Sequence, residues 1–501
     1  MGEKFNLLQE KLKLIANMNS IGGLLGWDQQ VKMPRGAVEA RASQLEALTL
    51  LVHPLATSAE LGELISEAEA ELNGADYDSD EASIVRIARK DYDDQVKYPT
   101  EFVAEMNREV ILGHEVWAEA RAKNDFASFL PTLRKIIDLK KRAADYLGYE
   151  DHPYDALLSE YDRDLKANEV RTIFDQHKAQ IVPLIEAIKA NHDTVDDSVV
   201  HRHFDVNKQE QFGREIIKTL GFDFNRGRTD VSVHPFCSSF SRTDVRLTTR
   251  FYPDFLNPAL FGLMHEAGHG MYEQGVGANL AGTNLESGTS LSVHESQSRM
   301  WENIVGRSLP FWEWAYPSLQ STFPESLGDV DLNTFYKSIN RVKPSFIRVE
   351  ADEATYNLHI MLRFELEMDM ISGNVDLAKL PQIWAERFES YIGVVPPNDS
   401  EGVLQDVHWS SGLVGYFATY ALGNLLAAQY FNQALKAHPN LMGEFAQGKF
   451  DTLLTWLNQN IHVHGRKFTT NELTQRLVGE GINQQYYADY LRQKYTSIYG
   501  L

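Results

Sequence analysis

Three residues in the stretch "NPALFGLMHEAGHGMYEQG", 257 to 275, have types and spacing suited to hydrolysis: His265, Glu266 and His269. Helical side chains four apart share a face, so the two imidazoles are placed to grip one metal ion. In a His-Glu-x-x-His site the glutamate is not a ligand; it takes a proton from water that the metal has made acidic. The same pattern arises by chance in amphipathic helices, so it needs a third ligand before it carries weight.

Four glutamates follow: Glu273, Glu286, Glu295 and Glu302. Glu273 falls at the helix end and Glu286 in the loop "GTNLESGTS", neither of them a rigid support. Glu295 heads a second helical stretch, "SVHESQSRMWENIVGRS", whose apolar side is Met300, Trp301, Ile304 and Val305 and whose polar side carries Glu295, Arg299 and Glu302. Its distance from His269, 295 − 269 = 26 residues, suits a helix end, a loop and a new helix start. Two readings of Glu295 stand side by side. It completes a His, His, Glu set with one open position, as hydrolytic zinc sites have, or it closes a capping box begun by Ser292.

These residues need elements to position them. Asn257 before Pro258 predicts a helix start, with Asn257 as the cap, and Gly275 and Gly277 predict its end. Gly262, Gly268 and Gly270 weaken that helix by about 1 kcal/mol each relative to alanine, and they allow a backbone or a substrate to come close. Upstream, residues 229 to 251 alternate at Val231 and Val233, then at Val245, Leu247 and Thr249, which predicts two short strands. Most other windows show three-and-four apolar spacing. "EFVAEMNREVILGHEVWAEARAKN" and "SGLVGYFATYALGNLLAAQYFNQALKAH" read as long helices, so the fold class is mainly α. The 501 residues exceed one ordinary core, and two lobes flanking a cleft are expected, with a small β element at 229–251 and a zinc-binding core at 257–306. "NGADYDSDEAS" and "VVPPNDSEG" read as exposed loops.

Composition narrows the partners. A formal net charge of −22 argues against nucleic acid and against an anionic membrane surface. The single cysteine, Cys237, excludes a disulfide framework and a thiolate-rich zinc site; it reads as a small buried residue. The opening "MGEKFNLLQEKLKLIANMN" lacks the apolar run of a signal peptide, and no stretch approaches eighteen apolar residues. A cytoplasmic protein is expected.

Six ordered stretches, "HPF" at 234–236, "DVRLTTR" at 244–250, "HEAGH" at 265–269, "HESQ" at 294–297, "IRVEAD" at 347–352 and "GVLQDVHW" at 402–409, resemble the carboxypeptidase Taq family of zinc metallocarboxypeptidases, also called thermostable carboxypeptidase 1. The resemblance runs over most of the chain. It implies a large helical peptidase fold with a central cleft, zinc held by His265, His269 and Glu295, Glu266 as general base, broad specificity for C-terminal residues, and a homodimer. Nitrogen and oxygen ligands also accept Co2+. Where thermolysin-like sites carry an aspartate that orients a ligand histidine, this chain has Arg299, so the partners of the histidines lie elsewhere.

Peptide hydrolysis also needs donors for a developing oxyanion. His408, Tyr416 and Tyr420 offer them, the two tyrosines being four apart on an expected helix; in the helical zinc peptidases that the family resembles, a histidine and a tyrosine of this late segment act so. Trp409 and Phe417 read as core or cleft wall. The free carboxylate of a peptide end suits an arginine fork, and Arg348, Arg246 and Arg250 are candidates. The family's Arg-x-x-Ala-Asp motif favours Arg348, with Arg246 second. On the stretch "FIRVEADEATYNLHIMLRFELE" the alternative is a solvated helix face with Arg348–Asp352 and Arg363–Glu367 pairs. His234 is expected near the substrate as part of the "HPF" motif. Two rivals remain: an oligopeptidase that cuts internally, and a non-catalytic helical metal-binding protein.

Overall fold

The computed structural model describes residues 2–501. Helices dominate, and the described residues contain one sheet, of three strands. The chain forms two compact units, one of residues 1–96, 197–339 and 430–479, the other of 97–196, 340–429 and 480–501.

In the first unit the opening sequence forms a helix, Glu3–Val31. Phe5, Leu8 and Leu12, at three-and-four spacing, bury one side of it against Leu61 and Ile65 of helix Ala59–Glu71 and Ile84 and Ile87 of helix Asp80–Val96. The same apolar cluster takes in Val276, Leu280 and Leu285, which directly follow the histidine helix. The N-terminal helices thereby brace the segment that leaves the site.

The sheet has the order β1 (Gly227–Val231), β3 (Asp244–Thr249), β2 (Cys237–Ser241). β1 runs parallel to β3, with Arg228 opposite Arg246, and β2 runs antiparallel to it, with Cys237 opposite Leu247. Two strands were expected and three are present. The extra one, "CSSFS", is a polar edge strand with an irregularity between Ser239 and Ser241; its pairing comes from the backbone ladder of β3, which leaves no alternation in the side chains to read. Val231 and Val233 are exposed, while Val245 and Leu247 of the central strand are fully buried and pack on the histidine helix. The apolar alternation thus located β3 by its core and β1 by its solvent side.

The histidine helix spans Asn257–Gly275. Its cap position is Leu256 and not Asn257, whose side chain makes no capping bond. Its end differs in cause as well. Val276 and Gly277 turn the chain with negative φ, and a Cβ at Gly275 would stand 2.3 Å from Asn458 Oδ1. Gly275 is therefore small because of a neighbour, not because of a left-handed turn.

The second unit is built on helices Thr100–Lys123, Phe126–Leu147, Ala167–Ala190, Tyr356–Ser372, Leu380–Ile392 and Gln485–Tyr499. "SGLVGYFATYALGNLLAAQYFNQALKAH" becomes helical only at Ala418. Gly412 and Gly415 before it have φ of 69° and 98°, and a Cβ at Gly415 would meet the Leu157 carbonyl at 2.6 Å. Only glycine takes that backbone path without strain, so Tyr416 sits in a turn ahead of the helix that carries Tyr420.

Candidate metal centre

His265 and His269 project from the same face of their helix, with ring centroids 4.9 Å apart. Gly268 lets the second element come in: a Cβ there would lie 2.6 Å from the Ser298 Cα and from the Gln297 carbonyl oxygen. That element is helix Leu291–Arg299, continued by a wider π-helical turn, Met300–Val305. Its cap is Ser290, whose hydroxyl accepts the Val293 amide. The helix therefore starts two residues before the expected capping box, and Glu295 lies past the position a capping box uses. The buried Ser292 hydroxyl has no partner among the described residues. The capping reading of Glu295 falls.

Freed from that role, Glu295 is buried with Oε2 3.5 Å from Nε2 of His265 and 3.5 Å from Nε2 of His269. The three donor atoms lie within 4.8 Å of one another. Its other oxygen, Oε1, accepts Arg299 Nε at 2.6 Å, and Ser298 Oγ donates to Oε2 at 3.0 Å. Both histidines use Nδ1 elsewhere: His265 Nδ1 meets Glu302 Oε2 at 2.8 Å, and His269 Nδ1 meets His294 Nδ1 at 2.8 Å. His294 in turn reaches Glu273 Oε1 through Nε2 at 2.6 Å. The two Nε2 atoms are thus aimed at a shared point beside one carboxylate oxygen. Two nitrogens and an oxygen in that disposition fit a divalent metal with open positions, and the chemistry of the set suits zinc or cobalt.

The surrounding charges have a consistent physical cause. Burial pushes the Glu266 carboxyl up to about 7, with His265 pulling the other way. Burial also lowers the His269 imidazole to about 4, although Glu295 opposes it. At Glu295 burial is overcome by Arg299 and the two histidines, which hold it far below the ordinary carboxylate range. Glu302 comes down to about 2 against its own burial, under Arg299 and His265. A carboxylate held ionised at Glu295 beside a buried glutamate pushed up toward neutrality gives the two groups different proton affinities.

Glu302, His294, Glu273 and Arg299 are the residues that the pattern of spacing left without a role. Arg299 bonds Glu295 and also Glu302 Oε2 at 3.2 Å, which is where the chain departs from the aspartate of thermolysin-like sites. Glu273, set aside as a ligand, is buried and tied to His294. The cue available in the sequence was weak: His294 stands beside Glu295, and Glu302 two turns on.

Arg246 forms a two-point pair with its neighbour Asp244, at 2.8 and 2.9 Å, and lies 4.5 Å from the Trp27 ring. Arg250 sits over Tyr252 at 4.9 Å. His234 is exposed in the β1–β2 loop. Cys237, on β2, is half-buried, and burial together with Glu266 and Glu273 pushes its pKa up, so it is a thiol and not a thiolate nucleophile.

In the second unit, "FIRVEADEATYNLHIMLRFELE" is not one helix. Arg348–Glu350 form a single 3-10 turn, and the helix begins at Tyr356. The alternative of a solvated stripe falls, because Arg348, Thr355, Tyr356, His359, Arg363 and Glu367 all lie inside. The pairs that went with that alternative are replaced by others. Arg348 Nε meets Asp406 Oδ1 at 2.9 Å and Arg363 Nε meets Asp406 Oδ2 at 2.6 Å. Asp352 instead accepts the amides of Ala354 and Thr355, and Glu367 accepts Tyr154 Oη, Trp409 Nε1 and the Gly415 amide at 2.7, 2.8 and 3.0 Å. Arg348 also donates to Tyr356 Oη at 2.9 Å and lies 5.0 Å from the Tyr420 ring. His408 Nε2 stands 3.2 Å from Tyr420 Oη, and the rings of Tyr416 and Tyr420 are 5.3 Å apart. Burial, with Arg348 nearby, keeps His408 neutral, its pKa lowered to about 3. Trp409 and Phe417 are core, as expected.

Comparison with known proteins places this architecture. The model of the carboxypeptidase Taq (M32) metallopeptidase family matches residues 7–495. The chain is 40% identical to thermostable carboxypeptidase 1 of Thermus thermophilus and 37% identical to carboxypeptidase 1 of Bacillus subtilis, over 97% of each sequence in both cases. Its structure superposes on the crystal structure of the M32 carboxypeptidase from Deinococcus radiodurans R1 with a TM-score of 0.97 at 39% identity, covering 100% of both chains. The fold and the site define a metal-dependent peptide hydrolase. The chain belongs to the carboxypeptidase Taq (M32) family of metallopeptidases.

Proposed function

We propose that this protein is a zinc metallocarboxypeptidase that removes single residues from the C-terminus of peptides with broad specificity. The observation that carries the reading is the convergence of His265 Nε2, His269 Nε2 and Glu295 Oε2 beside the buried Glu266. Bound there, zinc or cobalt supplies Lewis-acid polarisation of the scissile carbonyl and makes water acidic enough to attack at neutral pH. Glu266 accepts the proton of that water and delivers it to the leaving amine. Arg299 and Ser298 keep the Glu295 carboxylate oriented, and Glu302 fixes the ring of His265.

For the oxyanion, the family resemblance and the clustering of His408 with Tyr416 and Tyr420 support a donor role for that group. For the substrate carboxylate, the Arg-x-x-Ala-Asp motif supports Arg348, whose guanidinium also bonds Asp406 and Tyr356, with Arg246, paired to Asp244, second. His234 keeps a substrate-binding assignment from its motif. The substrates are peptides with a free C-terminus, and a homodimer in the cytoplasm is the assembly and location that the resemblance and the composition support.

Incubation of the zinc-loaded protein with a short peptide and its C-terminal amide, followed by mass spectrometry, tests the reading. Stepwise shortening of the free acid alone, abolished by a chelator, is expected. Internal cuts in both peptides would make the protein an oligopeptidase, and intact peptides would leave a metal-binding protein without this activity.

A further inference from the structure

The two ligand histidines are supported unequally. His265 Nδ1 meets a carboxylate directly, Glu302 Oε2 at 2.8 Å. His269 Nδ1 meets another imidazole, His294 Nδ1, at 2.8 Å, and only beyond it a carboxylate, Glu273 Oε1, at 2.6 Å from His294 Nε2.

Hydrogen-bond chemistry allows one proton arrangement in this row that leaves His269 able to ligate. A neutral imidazole carries one N–H and one lone pair. If His294 Nδ1 donated to His269 Nδ1, the His269 proton would sit on Nε2, where the lone pair for the metal has to be. His269 Nδ1 therefore donates, His294 Nδ1 accepts, and His294 Nε2–H donates to the Glu273 carboxylate.

The surroundings of His294 fit that fixed orientation. A Cβ on Gly288 would lie 2.5 Å from His294 Cδ2, so only glycine leaves room for the ring. The ring packs against Tyr272 with centroids 4.8 Å apart, and the Tyr272 hydroxyl is itself held by the Thr289 amide at 2.9 Å. The Gly288 amide also donates to Glu273 Oε1, at 3.3 Å.

We propose that His294 and Glu273 are positioning residues for the metal: a two-membered relay that sets the tautomer and ring orientation of His269. The proposal rests on the reading of His265, His269 and Glu295 as ligands. It gives the histidine of "HESQ" a task separate from that of the glutamate beside it.

The test is zinc affinity, measured on the whole protein by competition with a chromophoric chelator, for the wild type, His294→Phe, Glu273→Gln and His265→Ala, with thermal melting as the folding control. Loss of a hydrogen-bond partner behind a ligand weakens metal binding by about 10–100-fold, and that loss is expected for His294→Phe, which keeps a ring against Tyr272. Glu273→Gln keeps an acceptor but loses its charge, so a smaller loss is expected. Wild-type affinity in both variants, beside loss of zinc in His265→Ala, would overturn the relay and leave the ligand set standing. Wild-type affinity in His265→Ala as well would overturn both. If His294→Phe does not fold, Glu273→Gln and 15N-histidine NMR of the zinc-loaded wild type decide: protonated Nδ1 on His269 and protonated Nε2 on His294 are expected, and the reverse placement refutes the proposal.

Discussion

Two of the places where buried charge gathers in this protein are held by opposite means. At the metal centre Glu295, Glu302 and Glu273 face Arg299 and three imidazoles, and the hydrogen bonds are arranged so that two imidazole nitrogens and one carboxylate oxygen still point to a common spot. In the other unit Asp406 lies between Arg348 and Arg363, and both of its oxygens are taken by guanidinium groups. Against the cost of burial, Arg363 and Arg348 hold Asp406 well below the usual carboxylate range. The first group keeps donor atoms available for a metal. The second closes on itself and leaves an excess of one positive charge, the sign that a peptide carboxylate seeks. Buried ions are costly unless paired, so each arrangement needs a return for that cost, and only the first has a return written in motif spacing.

The sharpest way to separate the two regions is to remove charge from each and read different quantities. Glu266→Gln should leave metal content unchanged while turnover on a free-acid peptide falls by about 10²–10⁴-fold, the usual contribution of a general base. Undiminished turnover with a full complement of metal would end the assigned mechanism. Asp406→Asn should act on stability, costing about 3–5 kcal/mol because two buried guanidinium groups lose their counter-charge, as measured by urea unfolding. An unchanged midpoint would mean that the arginines find water or other acceptors, and the closed description of that cluster would be wrong.

A smaller effect compares the supports within the metal centre. Glu302→Ala removes the carboxylate behind His265, and zinc affinity should weaken by about 10–100-fold with the far-UV spectrum unchanged. Chelator competition measures it. Affinity equal to the wild type would show that Arg299 and the π-helical turn hold His265 in place without Glu302.

The difference between the regions also explains what the sequence made legible. His265, Glu266 and His269 were readable because all three lie on one helix, where spacing becomes geometry. Glu295 was reachable only with two readings, since the start of its helix decides between them. The stretch "FIRVEADEATYNLHIMLRFELE" reads as one helix because its three-and-four spacing is helical from Arg348 onward, and the alternative of a solvated, paired face rests on that helix. The chain turns at Arg348–Glu350, and Asp406, which captures both arginines, lies far along the sequence, where periodicity carries no information about it. β2 escaped for a related reason: its strand character comes from the partner β3 and not from its own serines.

The finest distinction concerns the residue that starts the Glu295 helix, because that start fixes the face on which Glu295 stands. Ser290 accepts the Val293 amide at 3.2 Å and shares a 2.7 Å bond with Thr470 Oγ1, whereas the Ser292 hydroxyl is buried without a partner. Loss of a cap costs about 1 kcal/mol, so Ser290→Ala should lower stability by about that amount in a urea titration, and Ser292→Ala should cost less. The order would reverse if Ser292 and Glu295 formed the capping box that their spacing suggests. Glu295 would then reach back to the Ser292 backbone amide, turned away from the position in which Oε2 lies 3.5 Å from Nε2 of both His265 and His269. A cap worth so little therefore separates a glutamate that closes a helix start from one that turns an oxygen toward His265 and His269.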